Sequence, residues 1–141
     1  MILDVNILIY AADSSSPHHE RARGWLATAL SGDRRVGIPW QTVGAFVRIV
    51  THPRAMRRPL TTAEAWAVVD SWFAVPVVWV PPAGERTVRI LERLMLDQHL
   101  TSAMTTDAQL AALAIEHGVA VVSADADFAR FPELTWINPL A

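Results

Sequence analysis

Five short apolar runs punctuate the chain, and the segments between them carry helical periodicity. No other feature constrains the fold as strongly. The runs are Met1–Leu3, Val36–Ile38, Val77–Val80, Val119–Val122 and Leu134–Ile137. They are rich in β-branched residues and do not alternate with polar ones, as befits parallel strands covered on both faces. Between the first two, Ala22, Trp25, Leu26, Ala29 and Leu30 follow the spacing of one buried helix stripe, with Pro17 at its start and Gly32 at its end. Val43, Phe46, Val47 and Val50 repeat the pattern until Pro53 stops it. Thr61 and Glu64 make a capping box ahead of Trp66, Val69 and Phe73. Val88, Leu91 and Met95, widened by Ile90 and Leu94, form a fourth stripe. The segment from Asp107 to His117 is apolar almost all round, as a buried helix is, and Gly118 is its natural left-handed stop. Strand and helix thus alternate, which specifies an α/β fold with a central, mostly parallel β-sheet flanked by helices. No repeat, low-complexity tract or linker interrupts the pattern, so residues 1–141 read as a single domain. Only His52–Pro59 reads as a flexible excursion.

What the chain lacks narrows its chemistry. It is 52% hydrophobic, which excludes intrinsic disorder. It has no cysteine, hence no disulfide framework, no cysteine nucleophile and no thiolate metal site. All twelve basic residues are arginine. Without lysine there is no Schiff base and no P-loop. His18-His19-Glu20 lacks zinc-binding helical spacing, and no His-Glu-x-x-His or Gly-x-Ser-x-Gly occurs. The N-terminal stretch carries Asp4 and Asn6 where a signal peptide would be apolar. The most apolar run, Phe73–Ala83, is broken by Pro76, Pro81 and Pro82 and falls far short of the roughly 20 residues that span a bilayer. The expectation is a cytoplasmic protein with no membrane segment.

The net charge of −2 conceals an uneven distribution. No acid lies between Asp33 and Glu64, an interval that holds Arg34, Arg35, Arg48, Arg54, Arg57 and Arg58, with His52 among them. Four aspartates instead follow apolar segments. Asp4 ends the first strand, Asp125 and Asp127 follow the fourth, and Asp107 opens the buried helix. Ligands of parallel sheets bind at the carboxyl ends of strands. If these ends converge, four carboxylates share a pocket and repel one another unless a cation neutralises them. Oxygen-only ligands suit Mg²⁺ or Mn²⁺, which keep bound waters and work on phosphates. With arginines to hold flanking phosphates, the implied reaction is hydrolysis of a nucleic-acid phosphodiester.

Each acid also has a plain structural role open to it. Asp4 can cap a helix starting near Asn6, Asp107 can be an ordinary N-terminal helix acid, and Asp125-Ala-Asp127 can be a turn. The arginine stretch can be a solvated loop. His117 fits a helix-dipole partner, and His52 fits a surface role. The tryptophans Trp66, Trp72 and Trp79 can serve the core or an interface.

The motifs are nonetheless similar to a known family. Ile2-Leu-Asp4-Val-Asn6-Ile-Leu-Ile-Tyr10, Thr106-Asp107-Ala-Gln-Leu-Ala-Ala-Leu-Ala-Ile-Glu-His-Gly118 and Val-Val-Ser123-Ala-Asp125-Ala-Asp127-Phe128-Ala-Arg-Phe131-Pro resemble PIN domains, the nuclease fold of VapC-type toxins. Trp40–Arg54, with Phe46-Val-Arg48-Ile-Val-Thr51-His-Pro53-Arg54, and Leu134-Thr-Trp136-Ile-Asn138-Pro139-Leu140 resemble its mycobacterial-type branch. The resemblance implies a PIN-like three-layer sandwich. It implies a bacterial toxin of a toxin–antitoxin pair, a Mg²⁺- or Mn²⁺-dependent endoribonuclease acting on RNA such as tRNA. It further implies a homodimer restrained by a small antitoxin. The matching metal and catalytic positions are Asp4, Asp107, Asp125 and Asp127, with Asn6 and Ser123 as supporting polar residues. Arg48, His52, Arg54, Arg57 and Arg58 are candidates to contact RNA or antitoxin.

One departure stands out. Where the family commonly has a glutamate in its second motif, this chain has Ala45, and no acid nearby replaces it. A face through Gln41, Ala45, Arg48 and His52 is therefore neutral to basic, and Arg48 becomes a candidate for the scissile phosphate. An inactive PIN-like module acting through antitoxin or RNA binding is the chief alternative. A DNase or flap nuclease would call for DNA-binding segments that this chain lacks. A phosphatase or phospho-receiver with Asp4 as nucleophile would need the lysine that is missing, and a purely structural subunit leaves the aspartates unexplained.

Overall fold

The computed structural model describes all residues from Met1 to Ala141. All five expected strands form, each trimmed to a two-residue core: β1 (Ile2–Leu3), β2 (Val36–Gly37), β3 (Val78–Trp79), β4 (Val121–Val122) and β5 (Trp136–Ile137). They build one sheet in the order β3-β2-β1-β4-β5. Every pairing is parallel, with Ile2 opposite Val121 and Leu3 opposite Val122 in the central pair.

The helices are α1 (Val5–Ala12), α2 (His19–Leu30), α3 (Trp40–Val50), α4 (Thr62–Phe73), α5 (Glu85–Gln98) and α6 (Met104–His117), and a 3₁₀ turn spans Ala126–Arg130. Neighbouring residues of one strand face opposite sides, and both sides are covered here. Leu3 and Val122 pack into a core with Ile7, Leu26, Phe46, Val69 and Trp72 from α1–α4. Ile2 and Val121 pack into a second core with Ile90, Leu94, Leu113 and Phe128 from α5, α6 and the 3₁₀ turn. The three layers are α1–α4, the sheet, and α5–α6, which is why the central strands read as unbroken apolar runs.

Two helix faces differ from the sequence expectation by one position. In α4 the buried stripe is Ala65, Val69 and Trp72, while Trp66 and Phe73 are 45% and 38% exposed. The ring of Trp72 meets Phe46 edge-on at 4.7 Å. Small Ala65 beside it lets α4 lie close to α3, and a second tryptophan there would hold the helices apart. In α5, Thr87, Ile90 and Leu94 are buried and Val88 is 57% exposed. Thr87 turns inward because its hydroxyl serves both the Gly84 N–H, at 2.9 Å, and the Glu116 carboxylate. The Thr61–Glu64 capping box forms, and Gly118 ends α6 at φ 63°.

Gly37 is obligatory for another reason. A Cβ there would lie 2.8 Å from the Pro81 ring and 3.1 Å from Ile2. The segment leaving β3 therefore crosses directly over β2, with glycine allowing the close approach. Residues 51–61 form the expected irregular loop, pinned by buried Met56 and by the Leu60 N–H bonded to the Val50 carbonyl at 2.8 Å. No helix is long and apolar enough to cross a membrane.

Candidate active site

Asp4 is the first residue after β1 and the N-cap of α1, its Oδ1 accepting the Val5 N–H at 2.7 Å. Its other oxygen, Oδ2, accepts from the Ser123 hydroxyl at 2.6 Å and the Asn6 amide at 3.1 Å. The structural and the chemical reading of Asp4 thus apply together. Ser123 directly follows β4 and is fully buried. Its single hydroxyl proton goes to Asp4, and its oxygen accepts from Asn6 at 3.0 Å and from the Asp125 N–H at 3.0 Å. Asn6 completes the ring by accepting the Ala124 N–H at 3.2 Å. Every polar group of this Asp4–Asn6–Ser123 ring has a partner, so the ring joins β1, α1 and β4 rigidly. A carboxylate offers about four lone-pair positions, and three of those on Asp4 are committed. A metal could take it through one oxygen only.

Asp125 caps the 3₁₀ turn, accepting the Asp127 N–H at 2.9 Å. Asp107 lies one turn inside α6, since the helix starts three residues earlier, at Met104, than the sequence suggests. Carboxylate oxygens of Asp107, Asp125 and Asp127 come within 4.8 Å of one another, a spacing that one ion can bridge. Asp4 lies outside that trio but close enough to act on it electrostatically. Burial raises the Asp107 carboxyl to about 6, and the charges of Asp125, Asp4 and Asp127 push the same way while Arg130 opposes them. Burial also holds the Asp4 carboxyl above its ordinary value, with Asp125 adding and the Ser123 and Val5 hydrogen bonds opposing. An acidic cluster of this kind resists losing all its protons until a cation joins it. The all-oxygen donor set fits a hard divalent ion.

Arg130 was not among the residues singled out from sequence. Its guanidinium bonds the Asp127 carbonyl at 3.1 Å and lies 3.4 Å from the Asp127 carboxylate. The three-residue spacing from Asp127 was the available signal, but it has meaning only once the intervening residues form a 3₁₀ turn.

The arginines that were singled out do not join the aspartates. Arg57 and Arg58 line a cleft of about 630 Å³ with Asp13, Ser14 and Ser15, beyond the far end of α1. With eight residues, that helix puts about 12 Å between this cleft and Asp4. Arg48 is exposed in the last turn of α3, three residues past half-buried Ala45. His52 and Arg54 are exposed in the following loop, where the Arg54 N–H bonds the His52 ring at 3.0 Å. An apolar groove between α1, α2 and α4, lined by Leu8, Leu26, Leu30, Val68 and Trp72, shares Ala12 and Leu60 with the arginine cleft.

Comparison with known proteins agrees with this geometry. Residues 1–134 match the family model described as PIN domain. Ribonuclease VapC33 of Mycobacterium tuberculosis is 39% identical over 140 residues, covering 99% of this chain and 98% of the relative. Ribonuclease VapC37 of the same organism is 39% identical over 140 residues, covering 99% and 97%. Among solved structures, VapBC2 from Rickettsia felis, bound to a DNA fragment from its promoter, superposes with TM-score 0.71 at 16% identity, over 97% of this chain and 96% of that one. FitAcB from Neisseria gonorrhoeae superposes with TM-score 0.68 at 20% identity, over 98% and 96%. Likeness at such identities concerns the fold; the curated relatives carry the family.

Proposed function

The chain belongs to the PIN-domain family, and from that premise we propose that it is the toxin of a toxin–antitoxin pair, a divalent-metal-dependent endoribonuclease. The observation that carries this reading is the meeting of Asp107, Asp125 and Asp127 within 4.8 Å at the strand-end edge where Asp4 also lies. The ribonuclease names of the curated relatives support RNA as substrate.

In this reading Asp107, Asp125 and Asp127 would hold Mg²⁺ or Mn²⁺, with Asp4 beside them. When bound, such an ion would supply water activation and offset of charge growing on the phosphate. The chain's own residues do the rest. Asn6, Ser123 and the Val5 N–H fix the Asp4 rotamer by occupying three of its lone pairs. Arg130 orients Asp127 and offers a cation at the rim of the site. Ala45 leaves the α3 side of the site without a carboxylate, so fewer anions are available there for a second ion. Arg48, one turn on, is the candidate to meet the scissile phosphate. Its replacement by alanine lowers the cleavage rate at saturating RNA.

The partner is a small antitoxin, as the toxin–antitoxin context of the fold neighbours suggests. The groove between α1, α2 and α4, ending in the Arg57–Arg58 cleft, suits an amphipathic segment with acidic residues at one end.

The deciding assay incubates the purified chain with structured and single-stranded RNA in Mg²⁺ or Mn²⁺. Chelator and Asp107→Asn each abolish cleavage if the reading is right. Cleavage that survives in Asp107→Asn or Asp4→Ala sinks it. Intact folding and antitoxin binding without any cleavage would favour the inactive module that Ala45 raises.

A further inference from the structure

The motif Trp136-Ile-Asn138-Pro139-Leu140 reaches the aspartates through one backbone carbonyl. Strands β4 and β5 pair in parallel, with Val121 opposite Trp136 and Val122 opposite Ile137. The Val121 N–H bonds the Thr135 carbonyl at 2.9 Å, and two residues on the Ser123 N–H bonds the Ile137 carbonyl at 3.0 Å. In that register the next bond would run from the N–H of residue 139 to the Ser123 carbonyl. Residue 139 is proline and has no N–H. The Trp136 indole takes its place. Its Nε1 donates to the Ser123 carbonyl at 2.9 Å, and no other donor bonds that oxygen. Ser123 is fully buried, so water offers no substitute.

The peptide unit held in this way leads straight to the acids. Its carbonyl is fixed by Trp136, and its N–H, that of Ala124, is fixed by Asn6 Oδ1 at 3.2 Å. Because the unit is planar, two bonds at its opposite edges fix its tilt. On one side of it the Ser123 hydroxyl donates to Asp4 at 2.6 Å. On the other comes Asp125, whose N–H bonds the Ser123 hydroxyl oxygen at 3.0 Å and whose carboxylate caps the turn that carries Asp127. The indole itself is steadied by packing against the core of α5, α6 and the 3₁₀ turn. We propose that Trp136 is a positioning residue of the metal site, its indole N–H standing in for the donor that Pro139 lacks and holding the Ser123–Ala124 peptide so that Asp125 and Asp127 stay in register with Asp107. A phenylalanine would fill much of the same space and leave the carbonyl bare. Trp136 bonds none of the carboxylates and acts through Ser123. The role rests on the reading of the aspartates as a metal site.

The test compares Trp136→Phe, which keeps an aromatic ring and removes the donor, with Leu134→Ala, which takes packing from the same core and no bond from Ser123. Each variant is titrated with Mn²⁺ and the bound ion read by electron paramagnetic resonance. Amide exchange is followed by NMR in chelator. Trp136→Phe weakens Mn²⁺ binding about tenfold or more, the usual loss when a group supporting a metal ligand is removed. It also speeds exchange of the Ala124 and Asp125 amides. Leu134→Ala lowers Tm and does neither. Adding Pro139→Ala to Trp136→Phe returns an N–H to the ladder and recovers affinity. The proposal is overturned if Trp136→Phe binds Mn²⁺ as wild type does, if Leu134→Ala weakens binding as much, or if the double variant recovers nothing. Should Trp136→Phe fail to fold, the double variant decides by whether it binds Mn²⁺ as wild type does. If neither folds, Trp136 is a packing residue and the proposal falls. A wild-type chain that binds no Mn²⁺ overturns the metal reading and the role of Trp136 with it. A wild-type chain that binds it no better than Trp136→Phe overturns the role alone.

Discussion

The Asp107 carboxyl shows how one residue links the site to stability. Burial and three neighbouring acids raise it to about 6, against about 3.9 in an unfolded chain. Between those values the folded, metal-free protein binds more protons than the unfolded one. Its contribution to stability is therefore complete at low pH and lost as pH rises through 6. Asp4, also raised, acts in the same direction. Thermal unfolding in chelator should give a higher Tm at pH 5 than at pH 7.5, and Mg²⁺ at pH 7.5 should recover the difference. Asp107→Asn should flatten that pH dependence and melt higher than wild type at pH 7.5 without metal. An equal pH dependence in Asp107→Asn would place its origin elsewhere. Asp4, Asp125 and Asp127 were legible in sequence because they follow apolar strands, whose ends parallel topology sends to one edge, and Asp107 because it opens the apolar stretch of the buried helix. The Asp4–Asn6–Ser123 ring was only half legible. Asn6 and Ser123 are more than a hundred residues apart, and side-chain geometry alone joins them. Arg130 was not legible, since its reach to Asp127 is created by a 3₁₀ turn.

At the scale of elements, the apolar runs located every strand and periodicity located α2 to α6, whereas α1 entered only as a helix that Asp4 could cap. What it did not fix was which of two adjacent stripes faces inward. Trp66-Val69-Phe73 and Ala65-Val69-Trp72 both satisfy helical spacing, and the choice depends on how closely α3 and α4 approach. Hydrophobicity alone favours the larger residues; packing favours the pair that fits. Trp72→Ala should accordingly cost about 3–5 kcal/mol in urea unfolding, whereas Trp66→Ala should cost about 0.5 kcal/mol or less, as exposed sites do. Equal losses would show that the stripe is misassigned. Gly37 gives a second element-scale test. Gly37→Ala drives a methyl into Pro81 and Ile2, and overpacking of that kind costs about 1–3 kcal/mol. The crossing of the Pro81 segment over β2 could not be read from sequence, because it depends on two strands and a loop meeting at one backbone atom.

Across the whole molecule, the small net charge resolves into two separated groups. The aspartates sit at the strand-end edge with Arg130 as their near cation, and Arg57 and Arg58 sit past the far end of α1. The expectation that the arginine run would border the aspartates therefore holds for Arg48 at most. Few cations close to the site should give a shallow salt dependence. The slope of log K against log salt for single-stranded RNA should be no steeper than about −2, with roughly 0.7 contributed per phosphate contact. A slope beyond about −4 would put the loop arginines on the RNA. Replacing Arg57 and Arg58 with alanine should leave thermal unfolding unchanged and weaken the hold on an acidic antitoxin segment, read by titration calorimetry. Helix α1 also sets a distance. It is a rod with an anionic end at Asp4 and a cationic cleft past Ala12, and the apolar groove runs alongside. The groove follows α1 only from Leu8 to Ala12 and carries Arg23 as well, so its own charged lining is cationic. A partner helix seated there meets cations at Arg23, Arg57 and Arg58, and only one whose polar flank is acidic satisfies them.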